Sequence, residues 1–228
     1  GPNLEARARA ARYTALERVR EEIAAAAVCT GHTRDDQAET VLLNLLRGSA
    51  GAGLAGIAAR RGRVVRPLLG IRRADTRRHC ARLGLAPVHD PMNDDLHHRR
   101  VWVRREVLPM LEAGADRDLV EVLARQAEVL RGDEGLLDEL AAAHAGADAA
   151  TLTALAPALA ARVVRRWLGA PPAGRATVER VLAVARGDIL ATELPGGDRV
   201  ERLGGRLVRT PGRPDPDGSP GPGPRARA

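Results

Sequence analysis

The stretch AAAAVCTGHTRDDQAET, Ala24–Thr40, decides the fold class of this chain. Its first part, AAAAVCT, is a short continuous apolar run suited to a strand covered on both faces, although alanine is a poor strand former. After Gly31 to Arg34, the residues Ala38, Val41, Leu42, Leu45 and Leu46 recur at i, i+3, i+4, i+7 and i+8, the pattern of a helix with one buried stripe. Arg47 and Gly48 close that helix, a cation near the negative end of the dipole followed by a residue that tolerates the left-handed conformation. The hand-over from strand to helix carries His32, Asp35 and Asp36. Two adjacent like charges there have two readings. Thr33-x-x-Asp36 resembles a capping box, and acidic residues in a first turn stabilise a helix. Alternatively, Asp36, Glu39 and Thr40, at i, i+3 and i+4, present one face opposite the leucine stripe to a cationic ligand. Spacing alone leaves both open.

Upstream, Asn3 is a plausible N-cap for an amphipathic helix with apolar residues at Leu4, Ala8, Ala11, Ala15, Val19 and Ile23. Downstream, GSAGAGLAG reads as a glycine-rich loop and GRVVRPLLG as a second apolar stretch stopped by Pro67. A helix is expected over roughly Arg72 to Leu83, and LAPVHDP as a short extended piece. Helix, strand, helix, strand, helix, strand is the alternation of an α/β domain with a mostly parallel, partial doubly wound sheet. From about Ala115 the runs DLVEVLARQAEVLRGDEGLLDEL, TLTALAPALAARVVRRWLG and ATVERVLAVARG are helix-periodic, so a helical domain follows. RVERLGGRLVR then has the signature of a β-hairpin turning at Gly204–Gly205. The expected division is 1–114, 115–210 and a proline- and glycine-rich disordered tail, 211–228.

The chain has 228 residues, 44% hydrophobic and 29% charged, ordinary for a globular protein. No apolar run approaches the roughly 20 residues of a membrane-spanning helix, and no signal-peptide pattern opens the chain, so a cytoplasmic setting without a membrane partner is expected. Cys29 and Cys80 form no CxxC pair and read as buried thiols. The net charge of +7 and a pI near 11.0 favour a polyanionic partner. All 36 basic residues are arginine, which weakens that inference by pointing to coding bias. Nucleic acid leads the candidates, and the scarcity of aromatic residues argues against broad base-stacking platforms.

HHRRVWVRREVLP carries Arg100 and Arg104 at i, i+4 with Arg99 and Arg105 beside them, a set of guanidinium forks suited to phosphate oxygens; the alternative is a solvated helix face. Asp90, Asn93, Asp94 and Asp95 superficially suggest a metal loop but lack a later bidentate glutamate and regular alternation, so an Asx-rich turn is preferred.

GHTRDDQAETVLLNLLRGSAGAGLAGIA, RPLLGIRRAD, HDPMNDD and RREVLPMLE, in this order, resemble the tRNA(Ile)-lysidine synthetase family of the PP-loop ATP pyrophosphatase superfamily, and EARARAARYTAL fits the family's segment just upstream. The likeness is specific over residues 1 to about 112 and loose beyond. It implies a ligase that uses ATP to adenylate the C2 oxygen of the wobble cytidine in tRNA(Ile) with a CAU anticodon, after which the side-chain amine of free lysine displaces AMP. On that implication Asp35, Asp36 and Glu39 are active-site groups holding Mg²⁺, assigned to Asp36, or the lysine ammonium. His32, Thr40 and Arg47 bind ATP or lysine, and Arg99, Arg100, Arg104 and Arg105 bind tRNA. A homodimer is also compatible. Val101 stands where many members have asparagine. The family's SGGxDS phosphate loop is missing from the chain, so the resemblance implies an N-terminally truncated form, inactive alone and with an exposed sheet edge. Two rivals are a cytidine 2-thiolase, disfavoured by the cysteine count, and an RNA-binding remnant without ATP chemistry.

Overall fold

The computed structural model describes residues 4–212 apart from positions 89, 145, 147, 171 and 172, together with the side chains of these residues other than 4–6, 91 and 93. The proposed cap Asn3 and the tail beyond 212 lie outside the described residues. The chain divides into two compact units, Gly1–Glu134 and Gly135–Ala228.

In the first unit, helix α1 (Leu4–Glu22) leads to strand β1 (Val28–Cys29) and helix α2 (Arg34–Leu46). The strand is shorter than the apolar run because its alanines do not extend. Ala24 instead adopts a left-handed φ of 52° and the buried Arg20 donates to the Ala25 carbonyl, so the run first finishes the helix. Short helix α3 (Gly51–Leu54) forms inside the expected loop, followed by β2 (Arg60–Arg61) and β3 (Val64–Val65). β1 pairs parallel with β3, and β2 pairs antiparallel with β3, giving the order β1-β3-β2. The fold is α/β as expected, with a small mixed sheet. LAPVHDP supplies no third strand among the described residues: Pro87 has no N–H for a ladder, and Val88 is 97% exposed.

Helix α4 (Arg73–Arg82) is followed by a 3₁₀ turn (Pro91–Asp94). The next helical rod has three parts: α5 (Arg99–Trp102), a π turn (Val103–Val107) and α6 (Leu108–Ala115). Pro109 explains the π turn, since a proline inside a helix removes a backbone donor and crowds the preceding turn. Ala38, Leu42 and Leu43 of α2 pack with Val103, Leu108 and Val120 in this unit's core. Leu45 and Leu46, expected on the same stripe, are more than half exposed. The two cysteines also depart from expectation. Cys29 is exposed on the edge strand and Cys80 is half-buried, so neither is a core thiol.

Helix α7 (Leu119–Ala143) contains the unit boundary, which falls beyond the expected 114/115 because Leu119, Val120 and Leu123 join the first unit's core. The second unit continues with α8 (Ala149–Ala154), α9 (Pro157–Leu168) and α10 (Arg175–Arg186). Pro157 separates α8 from α9, fixing the first position of α9 and holding Ala156 extended. Strands β4 (Ala191–Glu193), β5 (Arg199–Leu203) and β6 (Arg206–Thr210) form an antiparallel sheet. β5 and β6 turn at Gly204 and Gly205, whose φ values of 55° and 80° suit a tight primed turn. Val163, Val164, Val181, Val184 and Val200 fill the core of this unit.

A buried carboxylate cluster beside an arginine-lined cleft

The acidic pair settles into two capping roles at once. Asp36 reaches back along its own helix, where Oδ2 accepts the Thr33 N–H and the Thr33 hydroxyl, each at 2.7 Å. Asp35 turns outward and accepts the backbone N–H of Arg73, the first residue of α4, at 2.7 Å. Each aspartate thus satisfies a helix N-terminus, one of α2 and the other of α4, where an anion also suits the dipole.

Cations are held there as well, and they are the protein's own. Glu39 is fully buried. Its Oε1 receives Arg73 Nη2 at 2.9 Å and Arg104 Nε at 2.7 Å; its Oε2 receives Arg100 Nε at 2.9 Å and Arg104 Nη2 at 3.3 Å. Arg73 Nη2 also donates to Asp36 Oδ1 at 3.2 Å. Burial alone raises the Asp36 pKa, but the two Thr33 bonds and the charges of Arg73 and Arg100 outweigh it and leave this carboxyl below the usual range. The Arg73 guanidinium, lowered by burial, is raised overall by Glu39 and Asp36. Thr40 completes the cluster: its hydroxyl donates to the Asp36 carbonyl and accepts from Arg100 Nη2. The helix face expected to meet an outside ligand is therefore covered by α4, α5 and the π turn.

The structure joins Asp35, Asp36, Glu39, Thr40, Arg100 and Arg104 in one network, with Arg73 as the member that sequence patterning missed. Its sequence signal is its place in RPLLGIRRAD, one of the motifs that carry the family resemblance. Arg47 stands apart, exposed at the other end of α2, about 12 Å along the axis from Glu39 at about 1.5 Å per residue. Arg99 is exposed, and Arg105 pairs with Asp94. Val101 is buried. Asp90 accepts the Met92 N–H and Asp95 the His97 N–H, as an Asx-rich turn requires.

The residues do not fit a resident Mg²⁺ on Asp36. Its oxygens are committed to Thr33 and Arg73, those of Glu39 to three arginines, and no group of three potential metal ligands occurs among the described residues.

Two cavities flank the cluster. A cleft of about 990 Å³ is lined by Asp35, Asp36, Arg73, Arg77, Arg104 and Arg105 among others. A smaller one, about 350 Å³, lies beyond the carboxyl end of β1 and is lined by Arg9, Arg12, Tyr13, Thr30, Gly31 and His32 among others. Thr30 Oγ1 and His32 Nδ1 are 2.8 Å apart. His32 has its pKa lowered chiefly by burial, with Arg66, Arg100 and Arg9 adding to that and Asp36 opposing it. Among the described residues no helix is long and apolar enough to cross a membrane.

A parallel strand leading into a helix with polar groups gathered beyond the strand end defines a nucleotide-handling α/β domain, and residues 1–111 match the PP-loop domain family. The chain is 44% identical to a tRNA(Ile)-lysidine synthase of Salinispora tropica over 90% of its length and 67% of the relative's. It is 47% identical to one of Nocardia farcinica, over 92% and 65%, and 42% identical to one of Thermobifida fusca, over 90% and 65%. The chain belongs to the tRNA(Ile)-lysidine synthase family. It spans about two thirds of the length of these relatives.

Proposed function

We propose that the protein represented by this chain is a tRNA-modifying ligase that forms lysidine in tRNA(Ile) carrying a CAU anticodon. The C2 oxygen of the wobble cytidine attacks the α-phosphate of ATP and pyrophosphate leaves; the side-chain amine of free lysine then adds at C2 and AMP leaves. The observation that carries this reading is identity of 42–47% to lysidine synthases over nine tenths of the chain. The PP-loop match supports the use of ATP.

In this reading Asp36 and Glu39 act as positioning residues. They hold Arg73 and Arg104 at the wall of the larger cleft, where guanidinium groups stabilise negative charge on phosphate. Mg²⁺ arrives with the ATP phosphates. His32 faces the nucleotide side, and Arg99 and Arg105 with Arg77 provide the outer tRNA contacts. The setting is the cytoplasm, and a homodimer belongs to the same reading.

The test is incorporation of labelled lysine into tRNA by the full-length protein with ATP. Incorporation restricted to the CAU anticodon is the expected result. Equal incorporation into another anticodon, or none at all, overturns the reading.

A further inference from the structure

The piece Leu85–Val88 joins no strand among the described residues, and Leu85, Pro87 and Val88 line the larger cleft instead. The end of α4 puts them there. Gly84 has a left-handed φ of 66°; its N–H donates to the Ala81 carbonyl at 3.1 Å and the Leu85 N–H donates to the Cys80 carbonyl at 2.9 Å. These two bonds are the Schellman closure, which turns the chain back toward the helix it has just left. Pro87 then restricts Ala86 to extended backbone and offers no donor of its own.

The cleft therefore differs from one end of α4 to the other. At the amino end it is charged, and its carboxylates are engaged: Asp35 by the Arg73 N–H, Asp36 by Thr33 and Arg73, and Asp94 by Arg105. Arg104 is spent on Glu39. Arg77, one turn further along α4, also lines the cleft and has no ion pair among the described residues. The carboxyl end of α4, about 15 Å from its amino end at about 1.5 Å per residue, meets the apolar wall of Ala81, Leu85, Pro87 and Val88. Leu85 is more than half exposed and Val88 almost wholly so, which sets this wall at the mouth of the cleft rather than on its floor.

One uncommitted guanidinium beside an aliphatic wall matches one nucleotide unit, a phosphate for the fork and a flat base face for the wall. A small ligand gains most from apolar surface that encloses it. An apolar mouth is covered by a chain running across it. Single-stranded RNA loops present such a chain, with bases splayed out of the stack, whereas a duplex keeps its base faces inside.

We propose that Arg77, Leu85, Pro87 and Val88 form an RNA subsite of the larger cleft, the aliphatic wall carrying an unstacked base next to the reacting cytidine and Arg77 its phosphate. The proposal rests on the tRNA-modifying reading above. It separates base recognition, at the carboxyl end of α4, from the charged end held by Arg73 and Arg104.

The experiment uses the full-length protein and its Val88→Ser, Val88→Tyr and Arg77→Ala variants. Each is titrated with a short RNA stem-loop bearing CAU in its loop, the same stem-loop lacking the bases on both sides of the wobble cytidine, an RNA duplex of equal length, and ATP. Val88 is exposed, so its two substitutions disturb no core. Val88→Ser is expected to weaken stem-loop binding about three- to tenfold, and Val88→Tyr to tighten it by a similar factor, because an aromatic ring stacks on a base more strongly than an aliphatic group. Both effects should vanish on the stem-loop lacking the two bases, while duplex and ATP bind the two Val88 variants as they bind wild type. Arg77→Ala should weaken the stem-loop and lower its salt slope by about 0.7. A wild type that does not bind the stem-loop, or Val88 variants that bind it unchanged, overturns the proposal. Equal changes on the stem-loop lacking the bases or on the duplex also overturn it, since they mean backbone contact alone, and a parallel change in ATP gives the wall to the base of ATP instead. A wild type that shows the expected binding pattern yet transfers no lysine sinks the ligase reading and leaves the subsite standing.

Discussion

Arg100 and Arg104 grip opposite oxygens of one carboxylate: Arg100 Nε lies 2.9 Å from Glu39 Oε2 and Arg104 Nε lies 2.7 Å from Glu39 Oε1. They lie four positions apart along the rod, and Glu39 draws both guanidinium groups to α2. Replacing Glu39 with glutamine leaves these two arginines and Arg73, all half-buried, around a buried neutral amide. Glu39→Gln is expected to lower unfolding free energy by about 3–5 kcal/mol, measured by urea denaturation. A loss under about 1 kcal/mol means the cluster relaxes into solvent without cost.

Asp35 and Asp36 are separable by what they cap. Asp35→Ala frees the Arg73 N–H at the start of α4 and is expected to cost about 0.5–2 kcal/mol. Local hydrogen exchange should rise in α4 more than in α2. Faster exchange confined to α2 would contradict this assignment.

The acid response follows from Asp36. Its depressed pKa means that the fold favours the ionised form, so this contribution is complete above the unfolded value of about 3.9 and is lost as pH falls through the lower folded value. Asp36→Asn should therefore flatten the loss of Tm below about pH 4. His32 is also lowered, chiefly by burial, so the fold favours neutral imidazole. Its contribution is full above about pH 6.5 and declines as the pH drops toward the folded value. His32→Gln should remove that decline, and a Tm profile from pH 3 to 8 reads both.

Gly56 has φ +64°, and a Cβ built there lies 2.7 Å from Gln37 Oε1, the oxygen that accepts the Ile57 N–H. Gly56→Ala is expected to destabilise by about 1–3 kcal/mol through left-handed strain and displacement of Gln37. In a double-mutant cycle, Gln37→Ala should make Gly56→Ala less costly. Strict additivity would show that strain at φ acts alone.

The proposed RNA contacts separate arginines on the cleft wall from arginines held by the buried Glu39. Arg77→Ala and Arg105→Ala, on the cleft wall, should each reduce the slope of log affinity against log salt by about 0.7–0.9. Arg100→Ala should instead lower stability, because its Nε is spent on Glu39. A slope change for Arg100→Ala at wild-type stability would return it to the RNA surface.

Much of the local structure was legible from residue order. The period of Ala38, Val41 and Leu42 marks α2, Gly48 marks its end, and Gly204–Gly205 marks the hairpin, since each rests on interactions within a few residues, whereas the run Thr151–Gly169, read as one helical stretch, is divided at Pro157. The capping reading of Thr33 and Asp36 was legible for the same reason. Leu85–Val88 was not, because strand formation needs a partner and that segment has none among the described residues.

The sequence by itself determined most of the helices and the hairpin, the ordered motifs that identify the family and the net positive charge. Only the tertiary structure decided what the charges do. Asp35 caps a helix 38 residues away, Glu39 is neutralised by arginines 34, 61 and 65 residues distant, and the buried Arg66 has no carboxylate partner among the described residues. Periodicity assigns a residue to a face of its own helix, whereas the partner of that face depends on how separate elements pack. A buried carboxylate and a solvated one have the same letter, and the choice between them is made by the long-range contacts that desolvate one and leave the other in water.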